Sequence, residues 1–110
     1  MNLSNKTFDL IENNTGLAAS QTRMIFNHHS DPFEATYTGP NVSNGHVLVS
    51  RKKDKFDMIY HALSAEGLLV AGKADVSFST NDGNLIMQLN WQWLTDDLSS
   101  GVSLWTEVIH

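Results

Sequence analysis

A chain of 110 residues, 41% of them apolar, has the size of one domain with one core, which buries roughly two-thirds of the surface the unfolded chain exposes. The net charge is −5 and the basic residues are scattered apart from Arg51-Lys52-Lys53-Asp54-Lys55, so no basic face is offered to nucleic acid or to anionic lipid. Cysteine is absent, which removes disulfides, thiol chemistry and thiolate metal sites together.

Turn chemistry recurs at short intervals, and the runs between turns are rich in Val, Ile, Thr, Phe, Tyr and Trp. In chain order, strands are predicted over residues 6–12, 21–28, 33–38, 45–52, 55–63, 68–80, 84–94 and 102–109. Residues 15–20, with Leu17, Ala18 and Ala19, have room for one turn of helix, too short to be stable alone. Short connections make neighbouring strands antiparallel. The predicted fold is therefore all-β, an antiparallel up-and-down meander of about eight strands forming a lipocalin-like barrel or half-barrel over residues 1–110, with a two-sheet sandwich as the rival.

Hairpin geometry sharpens this reading, because loop length sets which residues stand opposite each other. A two-residue turn at Asp82-Gly83 puts Met87 across from Phe78, Leu89 from Val76, Trp91 from Ala74 and Trp93 from Gly72. The apolar sides then coincide, while Gln88, Asn90 and Gln92 meet Ser77, Asp75 and Lys73 on a wetted face. Ala74 and Gly72 leave room beside the two indoles, either for tight ring packing or for a guest. A two-residue turn at Lys53-Asp54 sets His46 across from His61, Leu48 from Ile59 and Val49 from Met58. A three-residue loop Ala65-Glu66-Gly67 then puts Tyr60 opposite Gly72, makes Phe56, Met58 and Tyr60 the inner wall, and leaves the histidines outside with Leu48, Ile59, Leu69 and Ala71. A two-residue loop reverses this and brings His46, His61 and Asp57 inside.

The residues that could hold a guest follow from these faces: Tyr37, Met58, Tyr60, Trp91 and Trp93, with Glu107, His46 and His61 if their sides turn inward. Glu107 shares a side with Ser103 and Trp105. Inside, its carboxyl would need a tyrosine or histidine partner and could act as a general acid or base. No acidic residue has a forced place beside the histidine pair, so no metal is expected, and "HHSD" at 28–31 reads as a hairpin end rather than a catalytic triad. Hydrolase, phosphate-loop and dinucleotide motifs are absent, and no cofactor is implied.

"ATYTG" at 35–39, "GH" at 45–46, "DMIYH" at 57–61, Gly67 with Gly72, "WQW" at 91–93 and "DLSSGVS" at 97–103 followed by Glu107 resemble a family of small single-domain bacterial proteins that often carry the label N-acetylglutamate synthase. The resemblance covers the C-terminal two-thirds and implies a calycin-like barrel with Tyr60 facing in, since members tend to carry arginine where Ile59 stands. The label finds no support in these residues: acetyl transfer of the common type needs a mixed α/β fold with a backbone cradle for a pyrophosphate, and neither is present. Leu89 and Thr106 also depart from the family pattern, the first at a position associated with glutamate, which weakens an acid-base reading.

Three functions remain, in order: a small-molecule-binding protein with a small, partly apolar ligand inside the barrel; a homodimeric interaction module using the outer apolar stripe; and an enzyme built on Glu107 with a histidine or tyrosine. "MNLSNKTF" carries no apolar signal region and no run is long enough to span a bilayer as a helix, so the expected site of action is the cytoplasm, away from membranes.

Overall fold

The computed structural model describes residues 2–13, 21–28, 32–95 and 98–109. The helical turn expected over 15–20, most of "HHSD" and Asp97 lie outside them. Eight strands follow one another: β1 (Thr7–Asn13), β2 (Arg23–Phe26), β3 (Phe33–Gly39), β4 (Val42–Lys52), β5 (Lys55–Ser64), β6 (Leu69–Asn81), β7 (Asn84–Trp93) and β8 (Ser100–Glu107). Each is hydrogen-bonded antiparallel to the next, and β8 pairs back onto β1, so the sheet closes into a barrel with neither a half-barrel edge nor a second sheet. No helix among the described residues is long and apolar enough to cross a membrane.

The three hairpin registers hold as read. Met87, Leu89, Trp91 and Trp93 face Phe78, Val76, Ala74 and Gly72 across a turn in which Asp82 and Gly83 both take positive φ, 51° and 83°. That is the backbone a two-residue hairpin loop needs to match strand twist. His46 stands opposite His61 and Leu48 opposite Ile59, while Tyr60 stands opposite Gly72 behind the three-residue loop whose Gly67 has φ 86°. The strand ends differ from expectation in places. β4 begins at Val42 rather than 45, because Gly39 pairs with Val42 around Pro40-Asn41 and an extra residue on β4 is absorbed as a bulge. β2 is four residues long and β8 spans 100–107, since its ladder to β7 starts at Gln92 and Ser100.

Alternation gives the strands an inward apolar row and an outward row that is mostly polar, with Ile25, Leu48, Ile59 and Leu69 among its exceptions. The barrel end that carries the N-terminus and the β2–β3, β4–β5 and β6–β7 turns is filled solid. Leu3, Phe8, Phe26, Val49 and Met87 are fully buried there, and the Phe8 and Phe26 rings meet edge to face with centroids 6.0 Å apart. Burial of each such side chain stabilises the fold by roughly 1.5–3 kcal/mol. This plug is the floor beneath the other half of the barrel.

Candidate ligand site

Above the floor the interior opens into a cavity of about 50 Å³. Tyr37 reaches it from β3, Met58 and Tyr60 from β5, and Trp91 and Trp93 from β7; β8 adds Trp105 and Ser103. Asn13, Met24, Val47 and Leu89 complete the wall, which is almost wholly apolar carbon. At roughly 10–15 Å³ for each water-sized probe, the space takes only a few atoms in this conformation.

Two glycines shape the cavity. A β-carbon built on Gly72 would lie 2.4 Å from the Tyr60 ring, and one on Gly45 would lie 2.5 Å from the Tyr37 ring. Each phenol therefore lies flat on the strand opposite, in the place a side chain would take. The room beside Trp93 that Gly72 promised in the sequence is thus filled by Tyr60, whose ring meets the Trp93 indole edge-on at 5.3 Å, and the open space lies further in.

The polar atoms of the wall are few and oriented. Trp91 Nε1 donates to Asn13 Oδ1 at 3.2 Å, and Trp105 Nε1 donates to Ser103 Oγ at 3.0 Å, which fixes both indoles and leaves the Ser103 hydroxyl its own proton to give. The Tyr60 hydroxyl donates to the Gln92 carbonyl over a long 3.5 Å. Burial pushes the Tyr60 phenol well above its ordinary pKa; burial does the same for Tyr37, with the neighbouring Tyr60 adding to it. Both phenols therefore stay protonated at any physiological pH, and both are donors.

A family model for avidin-like proteins matches residues 1–108. The chain belongs to the avidin-like protein family. No curated protein and no solved structure matches it at a significant level. The match agrees with the calycin-like barrel implied by the resemblance of the C-terminal two-thirds, and it bears on the fold rather than on the acetyltransferase label.

Within this avidin-like barrel the sequence-derived residues divide into two groups. Tyr37, Met58, Tyr60, Trp91 and Trp93 converge on the cavity. His46, His61 and Glu107 do not reach it. The three-residue β5–β6 loop turns the histidine pair outward, where the rings stack with centroids 5.3 Å apart. Glu107 is on the same side of β8 as Ser103 and Trp105, but opposite Phe8 at the plugged end of the barrel, and it pairs with Lys6 Nζ at 2.9 Å rather than with a tyrosine or histidine. The acid-base arrangement that the third reading required is not formed. Among the described residues no group of three or more His, Asp or Glu side chains is gathered as metal ligands would be.

Asn13, Met24, Val47, Ser103 and Trp105 were not foreseen as cavity residues. The β7–β8 ladder pairs Met87 with Trp105 and Leu89 with Ser103, so an inward Met87 carries Trp105 inward with it. Barrel closure was the missing signal, because the 94–99 connection is too long for turn chemistry to set that register.

Proposed function

We propose that this avidin-like protein binds a small, flat, largely apolar molecule that carries a hydrogen-bond acceptor, and that the inner cavity, which has to widen from its present volume of about 50 Å³ to admit it, is its site. The observation that carries the reading is the placement of aromatic residues: all three tryptophans and both tyrosines of the chain line this one space. A packed core needs no such concentration, whereas a pocket for a planar guest uses rigid aromatic walls and a few directed polar groups. Tyr37 and Ser103 supply donors, the Tyr60 proton being given to the Gln92 carbonyl, so the guest's polar atom is an acceptor such as a carbonyl oxygen. Barrels of the avidin-like family typically bind small ligands, which supports the same reading.

Intrinsic fluorescence tests it, because every tryptophan reports on the cavity. Titration with a panel of small cyclic amides, ureas and aromatic carboxylic acids is expected to give a saturable change in emission for at least one class, weakened by Tyr37→Phe. Flat emission across the panel together with no thermal stabilisation by any member counts against a ligand of this kind.

A second reading, a homodimer, rests on the outer face. Leu48, Ile59 and Leu69 are 48%, 59% and 82% exposed there, next to the half-buried Ala71, which is the apolar stripe read in the sequence. Neighbouring exposed apolar residues of this kind commonly mark an interaction surface.

A further inference from the structure

On the outside of the barrel, paired residues line up in rows that cross the strands. One row reads Glu34, Leu48, Ile59, Lys73 from β3 to β6, and the next reads Thr36, His46, His61, Ala71. The first row is charged at its two ends with opposite signs and apolar in the middle. Neither end has an ion-pair partner among the described residues; the Glu34 carboxylate accepts a 3.3 Å bond from the Asn27 side-chain amide. A shallow depression of about 380 Å³ lies over Glu34, Thr36, His46, Leu48 and Ile59.

Such a row complements a copy of itself in one arrangement. When two identical sheets meet face to face, the two-fold axis lies in the plane between them. If the axis runs along the strands, midway between β4 and β5, position along the strands is kept and order across them is reversed. Glu34 then faces Lys73 of the second copy, Leu48 faces its Ile59, and His46 faces its His61. With the axis across the strands, the ends of the row would instead face their own kind. Both axes keep the strands of the two sheets aligned, within about 30°, so it is the charge pairing at the ends of the row that selects the first.

We propose that the β3–β6 face packs on the same face of a second copy about an axis along β4 and β5, and that protonation of His46 and His61 takes the pair apart. The proposal rests on the homodimer reading above and gives it a geometry and a regulation. Lys73 of each copy reaches over the depression of the other, towards Glu34. Around the axis four imidazoles gather, beside Thr36 on β3 and Ala71 on β6, which are uncharged; the charged groups nearest along the strands are Glu34 on β3 and Lys73 on β6, one pleat away, with Asp57 on β5 and its partner Asp75 on β6 a further pleat along. Neutral, the rings stack as an extension of the Leu48 and Ile59 patch. Charged, they place four cations in contact with one another beside two Lys73 side chains and two Glu34 carboxylates, while the Asp57 and Asp75 carboxylates stand two pleats away, far enough to be largely screened. Imidazole changes charge between about pH 5 and 8, so assembly is present above that range and lost on acidification. Strand spacing and rise give the face a projected size of about 19 by 23 Å, smaller than the roughly 800 Å² per partner of a standard interface, so association is weak and concentration-dependent.

Sedimentation velocity of the full chain at about pH 7.5 and 5.5, across concentrations up to hundreds of micromolar, tests this with Glu34→Lys, Lys73→Glu, the double swap, and His46→Gln/His61→Gln. A dimer at the higher pH is expected, weakened by about tenfold or more by either single reversal and restored by the swap, because only this axis makes the two positions face each other. Acid should dissociate the wild type and spare the glutamine double variant. A wild type that is monomeric at every concentration overturns the homodimer reading itself. A dimer indifferent to both reversals leaves that reading standing and rejects this axis, and one that responds to the reversals but not to acid rejects the histidine control. Unchanged tryptophan emission in each variant verifies that the barrel is intact.

Discussion

Substitution of Gly72 by alanine places a methyl group where the Tyr60 ring now lies. The added carbon would sit 2.4 Å from Cζ and from the hydroxyl oxygen, and 2.6 Å from Cε2, against an ordinary contact of 3.4–4 Å. The ring has to retreat by about 1 Å, and the direction open to it is the cavity, since Trp93 already stands edge-on at 5.3 Å. Overpacking of this kind costs about 1–3 kcal/mol. For a chain of this length that is a fall in Tm of about 4–12 °C, at roughly 4 °C per kcal/mol. The assay is a double-mutant cycle in urea with Tyr60→Ala. In the Tyr60→Ala background the new methyl meets no ring, so Gly72→Ala should be close to neutral there and the coupling should equal nearly the whole single-site cost. An equal cost in both backgrounds would mean that the glycine matters for its backbone and not for the phenol that covers it, and the explanation of the cavity's shape would fail.

Other expectations are open to equally direct measurement. Phe8→Ala, in the solid floor of the barrel, should cost about 3–5 kcal/mol in urea unfolding, because the closed sheet around it cannot collapse onto the void. The raised pKa values of Tyr37 and Tyr60 mean that stability is level below about pH 10, the ordinary phenol value, and falls above it as the unfolded chain loses protons the folded barrel retains. The slope is at most about 1.4 kcal/mol per pH unit for each phenol, and less after solvent screening, and ultraviolet titration should show two phenolates appearing only with unfolding. Lys53 opens the β4–β5 turn at φ 59°, a left-handed backbone that disfavours a lysine, so Lys53→Gly should stabilise by about 0.5–1 kcal/mol, visible as a Tm rise of a few degrees.

What could be read in the sequence was whatever short turns determine. Asp82-Gly83 and Lys53-Asp54 each leave one sensible loop geometry and Ala65-Glu66-Gly67 leaves two, of which the three-residue loop is the one formed; with those registers come Tyr60, Trp91 and Trp93 on the inner wall and His46 beside His61 outside. The histidine orientation depended on a single residue in one loop, since a shift of one in a strand exchanges its faces. Trp105 and Ser103 could not be placed because β8 is joined by a long connection, and its alignment comes from closing onto both β7 and β1. Glu107 shows the limit of alternation: the side of the strand was right, but alternation says nothing of height in the barrel, and Glu107 stands two residues beyond Trp105, beside Lys6. Asn13 was read as part of a turn, whereas β1 runs through it to the rim, where its amide oxygen receives the Trp91 indole.

The central claim is that the aromatic cavity is built for a guest. Native mass spectrometry of protein purified gently from its own host, compared with the same sample denatured, addresses it most directly. The expected result is a small-molecule mass carried by the native protein, absent after denaturation and absent from a folded Trp91→Ala variant. A native mass equal to that of the bare chain, with no added mass in the wild type and no difference in Trp91→Ala, would contradict it and make the cavity a packing feature of a barrel that holds nothing.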